Sequence, residues 1–220
     1  MKIGLIGGTG KEGRGLALRW ARAGHAVVIG SRDPSRARAC ADELGGRVGA
    51  RIDSGTNQAA ADCEVAVVCV PYSAHAETLT ALAAALSGKI VVDLVVPLVP
   101  PQITQVHLPE DGAAALAARR ILGDGARLVA TLHHVSSVPL GELDRTLHGD
   151  VLVCSDDAAA RDAVIALIAD LGMRGVDAGP LANAVALEAM TPVLLYMNKK
   201  YKRPGLGLTI AGLEPWPSRK

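Results

Sequence analysis

Apolar positions in this chain follow two spacings, and the switching between them assigns most of its elements. Unbroken apolar runs at residues 2–6, 25–30, 65–70, 90–92, 128–132 and 151–154 predict strands. Lack of alternation marks them as parallel strands covered on both faces. Between them, apolar residues recur at helical spacing over 14–23, 35–44, 74–86, 111–122, 158–171 and 181–200. Gly24, Gly45-Gly46 and Gly88 read as helix stops, Asp33-Pro34 as a helix start, and Pro192 as a bend in the last helix. A weak strand is expected over 48–52 and a short helix over 56–62, whereas Pro97, Pro100 and Pro101 make 94–103 a loop. Strand–helix alternation predicts a doubly wound, Rossmann-type α/β domain with a mostly parallel sheet over 1–180. A small C-terminal helical portion is expected over 181–220.

Composition narrows the field. The chain has no Phe, two Trp and three Tyr, so its core must be Val, Leu, Ile and Ala. Stacking platforms for single-stranded nucleic acid are therefore missing, and a net charge of +1 gives no general pull towards polyanions. Cys40, Cys63, Cys69 and Cys154 show no C-x-x-C pairing, so neither a metal site nor a disulfide is expected. The start MKIGLIGG does not read as a signal peptide, and no run reaches the ~18 apolar residues of a membrane span. The expected setting is cytoplasmic.

The chemistry begins at Gly8-Thr9-Gly10-Lys11-Glu12-Gly13, a G-x-G-x-x-G that follows a strand and opens a helix. The first glycine permits the tight turn, the second lets a pyrophosphate approach the backbone, and the third allows close helix–strand contact. Free N–H groups at the helix start then face the phosphates. At the end of the second strand an NAD protein carries an acid for the ribose 2′-OH. This chain has Ser31 and Arg32 there, with Arg36 one turn on, and these suit a 2′-phosphate. Asp33 is the discordant charge, expected to cap the following helix.

Ligands of such sheets lie at the carboxyl ends of the strands. The residues there are Val70-Pro71-Tyr72-Ser73 with His75, then 94–97, then His133-His134-Val135-Ser136. The wall is mostly apolar, suited to a flat heterocycle. A strong general base with an orienting carboxylate is missing from these segments. The histidines read as positioning or structural groups rather than proton shuttles. From 199 to 220 six basic residues (Lys199, Lys200, Lys202, Arg203, Arg219, Lys220) face one acid, Glu214, which reads either as a solvated terminus or as a patch for an anionic partner.

Taken together, MKIGLIGGTGKEGRGLALRWARAGHAVVIGSRDPSRA, VPYSAH, VVDLVVPLVP, ATLHHVSS, DAGPLANAVALEAMTPVLLYMNKKY and GLGLTIAGL resemble the NADPH-dependent reductases of the deazaflavin coenzyme F420. The resemblance spans nearly the whole chain and implies hydride transfer between NADP(H) and coenzyme F420. It implies that Thr9, Ser31, Arg32 and Arg36 hold the 2′-phosphate. It places Pro71, Tyr72 and His75 by the nicotinamide, and His133, Val135 and the loop Val96, Pro97, Leu98 by the deazaflavin. It also implies a homodimer and a C-terminal helical portion, 181–220, that closes the cleft. The segment His133-His134-Val135-Ser136 and the extension past Leu213 depart from the family's pattern. An NADPH reductase of another acceptor (an imine, a flavin or a chelated metal) and a non-catalytic NADP sensor remain the other readings.

Overall fold

A computed structural model describes residues 1–213. Its strands are β1 (Lys2–Ile6), β2 (Ala26–Ser31), β3 (Asp53–Thr56), β4 (Val65–Val68), β5 (Ile90–Asp93), β6 (Arg127–Thr131), β7 (Asp150–Cys154) and β8 (Arg174–Asp177). Its helices are α1 (Lys11–Arg22), α2 (Pro34–Val48), α3 (Asn57–Ala61), α4 (Tyr72–Leu86), α5 (Ala114–Leu122), α6 (Ser137–Gly141), α7 (Ala158–Asp170) and α8 (Ala184–Tyr201). One sheet runs β3-β2-β1-β4-β5-β6-β7-β8. The first six strands are parallel, β7 joins β6 antiparallel, and β8 follows β7. Strand order reverses between β1 and β4, and that switch point opens a crevice at their carboxyl ends.

Side chains alternate along the strands, so β1, β4, β5, β6 and β7 each feed two cores. Leu5 and Val67 pack with Trp20, Leu44 and Leu167 on one face; Ile6 and Val68 pack with Leu79, Leu86 and Leu128 on the other. Each fully buried side chain of this size contributes roughly 1.5–3 kcal/mol. Trp20 is 2% exposed and its indole N–H donates to the Leu167 carbonyl at 2.9 Å, so its one polar atom is satisfied.

The differences from the sequence pattern lie at the sheet edges. Helix α2 passes through Gly45-Gly46 and ends at Gly49, whose φ is 63°, so the strand expected over 48–52 begins later, at Asp53. The second edge strand, β8, carries no apolar run and was not expected. An edge strand has less surface to bury, so DSGT and RGVD show neither the run nor the alternation of a strand. Short α6 lies in a stretch to which the apolar pattern assigned no element. Helix α8 continues through Pro192 as one element. No helix among the described residues is long and apolar enough to cross a membrane.

Candidate functional site

Chain reversal after β1 builds the site. Gly7 sits at φ 72°, and the Gly8 N–H donates to the carbonyls of Leu5 and Gly30 at 3.1 and 3.0 Å. A Cβ on Gly13 would stand 2.6 Å from the Gly8 Cα, and one on Gly8 2.6 Å from the Leu5 Cβ. These two glycines therefore work from beneath, by letting α1 approach the turn. Gly10 has open space instead, its nearest neighbour being the Gly7 carbonyl oxygen 3.9 Å from where a Cβ would lie. Here a phosphate can reach the backbone. The Gly7 N–H also donates to the Asn57 side-chain oxygen at 3.0 Å, which pins the turn to α3.

A cleft of about 940 Å³ runs from this turn in both directions. One end is lined by Thr9, Lys11, Ser31, Arg32 and Arg36. The Ser31 hydroxyl accepts from the Asp33 N–H at 3.1 Å. Arg32 and Arg36 are exposed. Neither guanidinium makes a hydrogen bond or ion pair among the described residues. The Asp33 carboxylate is engaged locally and caps α2. It accepts from the Ser35 N–H (2.9 Å), the Ser35 hydroxyl (2.6 Å) and the Arg36 N–H (3.3 Å). Those bonds, the Ser35 hydroxyl first, hold its pKa below the usual carboxylate range. The discordant acid is thus a helix cap.

The other end is lined by Val70, Pro71, Tyr72, Val96, Leu98, His133 and Val135, together with Glu12, Leu132, Ser137 and Thr191. His133 is 4% exposed and neither ring nitrogen has a partner among the described residues. Burial pushes its pKa down to about 3, so the imidazole is neutral. Both nitrogens are enclosed in the wall, and the ring's donor and acceptor go unmet among the described residues. Pro97 is buried between the two loop residues that do reach the cleft.

His75 lies elsewhere than expected. It is 1% exposed behind the wall, where its Nε2 meets the Asp93 Oδ2 at 2.7 Å, and Tyr72 stacks over it at 6.5 Å between centroids. A histidine with an orienting carboxylate therefore does exist, contrary to the sequence reading, but it is sealed from the cleft. Burial alone would lower the His75 pKa; the Asp93 charge and hydrogen bond outweigh it and hold the pKa above the ordinary value. Glu188 of α8 completes the buried patch, accepting from the Ala114 and Ala115 N–H groups at 2.7 and 2.9 Å. Burial raises its pKa to about 7, against those two bonds. Burial likewise lifts Glu12 to about 7, opposed by hydrogen bonds from Ser137.

Sequence reasoning missed Asn57, Asp93, Leu132, Glu188 and Thr191. Two carried a signal: an acid closing the apolar strand IVVD, and a Thr-Pro inside a helix. The tail residues Glu214, Arg219 and Lys220 lie outside the described residues. Among the described residues no three His, Cys, Asp or Glu gather to hold a metal.

A glycine cradle at the switch point, a cationic end and an apolar ring-sized end define a dinucleotide-dependent oxidoreductase of the Rossmann class. Residues 2–97 match the family described as NADP oxidoreductase, coenzyme F420-dependent. The chain is 36% identical over 222 residues to the F420-dependent NADP reductase of Methanothermobacter marburgensis, covering 97% of this chain and 99% of that protein. It is 34% identical over 224 residues to that of Methanocaldococcus jannaschii, covering 97% and 100%. The crystal structure of a proposed F420-dependent NADP reductase from Arthrobacter sp. FB24 superposes with a TM-score of 0.79 at 27% identity, covering 96% and 99%. The chain belongs to the F420-dependent NADP reductase family.

Proposed function

We propose that the protein exchanges a hydride between NADP(H) and the deazaflavin coenzyme F420, and that it does so as a cytoplasmic homodimer that does not bind nucleic acid. One observation carries the reading: a single cleft joins arginines unpaired among the described residues at one end to a neutral imidazole, unpartnered among the same residues, in an apolar wall at the other. When bound, NADP(H) supplies the nicotinamide and coenzyme F420 the ring with which it exchanges hydride.

The residues present fit both groups. Thr9, Ser31, Arg32 and Arg36 bind the 2′-phosphate through charge-assisted hydrogen bonds. Gly10 and the first N–H groups of α1 meet the pyrophosphate. Val70, Pro71 and Tyr72 orient the nicotinamide half, while Val96, Leu98 and Val135, backed by Pro97, face the deazaflavin. The neutral His133 imidazole is part of the same wall. The apolar walls exclude water, which protects a hydride passing directly between two rings. Hydride exchange of this kind needs positioning above all, so the sealed His75–Asp93 pair serves by shaping the wall. Residues 181–220 are read as the portion that closes the cleft.

The test is direct. Purified protein with NADPH is expected to bleach the visible absorbance of the deazaflavin. Protein that binds NADPH yet leaves that absorbance unchanged from pH 6 to 9 contradicts the reading.

A further inference from the structure

We infer that Glu12 couples NADP(H) binding to proton uptake: its carboxyl stands at the start of α1, where the pyrophosphate is received, and gives up its charge when that ligand arrives. The inference rests on the functional reading above, which places the pyrophosphate at Gly10 and the first N–H groups of α1.

Glu12 is an acid inside a motif that receives an anion. It lies in the first turn of α1 and lines the same cleft as Thr9, Gly10 and Lys11. Gly10, the residue that caps α1, has no side chain to accept from the helix start. In ligand-free protein an ionised Glu12 is therefore the negative group that the N-terminal dipoles favour. A pyrophosphate brings its own charge to the same N–H groups. Two anions at one helix terminus disfavour each other's ionisation, and of the two the carboxyl is the one that takes a proton near neutral pH.

The surroundings hold Glu12 close to that point. Its side chain is half-buried, and burial lifts its pKa to about 7 against hydrogen bonds from the Ser137 N–H and hydroxyl. Those bonds come from α6, whose segment SVPLG holds no ionisable side chain. Burial keeps the Cys69 thiol after β4 and the Tyr72 phenol of α4 in their neutral forms. After β6 the His133 ring is neutral as well. Within α1 itself, Lys11 points to solvent, and Arg14 is engaged with Cys40 and Glu43 of α2. His75, Asp93 and Glu188 are sealed behind the wall, while Arg32 and Arg36 line the opposite end of the cleft. Among the described residues no cation is fixed against this carboxyl, so a proton is what neutralises it.

The experiment titrates wild type and Glu12→Gln with NADPH in a calorimeter, using buffers of different ionisation enthalpy to count protons taken up. The difference between the two proteins cancels protons exchanged by the 2′-phosphate and by distant groups. Wild type is expected to take up roughly 0.5 to 1 proton per site more than the variant at about pH 8, and nearly the same number at about pH 5.5. The variant should accordingly bind NADPH roughly tenfold more tightly than wild type at about pH 8.5 and equally well at about pH 5.5. A second reading needs no variant. In protein carrying carbon-13 at the glutamate carboxyls, the Glu12 resonance should titrate near 7 without ligand and at higher pH with NADPH bound. Equal proton uptake by the two proteins at pH 8, or a Glu12 resonance that ionises at the same pH with and without NADPH, overturns the inference. Wild-type protein that binds no NADPH overturns the functional reading and, with it, the inference.

Discussion

The His75 imidazole and the Asp93 carboxylate meet at 2.7 Å, with side-chain exposures of 2% and 0%. The other Asp93 oxygen accepts from the Val95 N–H at 3.0 Å. The pair therefore ties α4 to the end of β5 and to the loop that lines the cleft. Its work is architectural, because neither group reaches a ligand.

Removing one partner leaves the other charge buried and alone. His75→Ala is expected to destabilise the fold by about 3–5 kcal/mol, a loss measurable by urea denaturation. An unchanged unfolding midpoint would show that the pair is not charged in the folded protein.

Two carboxyls raised by burial, Glu188 and Glu12, work to lower stability as pH rises from about 5 to 7. The buried neutral His133 and His134 work to raise it as pH climbs towards the ordinary 6.5. A carboxyl with a raised folded pKa holds its proton more tightly folded than unfolded. For Glu188 the cost is absent below the ordinary 4.5, grows above it and is complete beyond about 7. That range corresponds to a cost on the order of 3 kcal/mol. His75 acts in the same direction: its contribution is full below the ordinary 6.5 and is lost as pH passes its raised folded value. Asp150 sets the opposite limb, since the Arg174 hydrogen bonds hold its pKa low and its contribution disappears in acid. Glu188→Gln should raise stability at pH 7 relative to pH 5 when compared with wild type. An unchanged pH dependence in that variant would exclude the Glu188 contribution.

Arg32→Ala should weaken NADPH by roughly 10- to 100-fold, the worth of a charge-assisted bond, and leave NADH nearly unchanged. Equal losses for both cofactors would place the 2′-phosphate elsewhere.

Gly13 and Gly10 should fail differently. Gly13→Ala forces a Cβ to within 2.6 Å of the Gly8 Cα, so both thermal stability and NADPH binding should drop. Gly10→Ala meets nothing closer than 3.9 Å and should melt like wild type, yet its methyl obstructs the phosphate and NADPH binding should fall. A Gly10 variant with undiminished NADPH affinity would mean that the phosphate does not approach there.

Much of this site was legible because its demands are local. The turn needs glycine, the 2′-phosphate needs cations at a strand end, and both show within one β-α-β unit. Central strands were legible for the same reason, since burial on both faces writes an unbroken apolar run. The edge strands β3 and β8 bury less and left no such run. His75 was misplaced because spacing alone does not tell which face of α4 turns inward, and its partner Asp93 is 18 residues away. The hydrogen bond from the Thr191 hydroxyl to the His133 carbonyl spans 58 residues, and sequence shows only a Thr-Pro in a helix and a His in a loop. Long-range pairing of polar groups depends on how the layers stack, which local pattern does not encode.

Isotope transfer tests the central claim most directly. NADPH deuterated at both C4 positions of the nicotinamide is mixed with the protein and the oxidised deazaflavin in ordinary water, and the reduced ring is analysed by mass spectrometry. Direct passage between the two bound cofactors predicts that the reduced deazaflavin gains one deuterium at carbon. Reduction with only solvent hydrogen at carbon, or no reduction while both ligands bind, would contradict it.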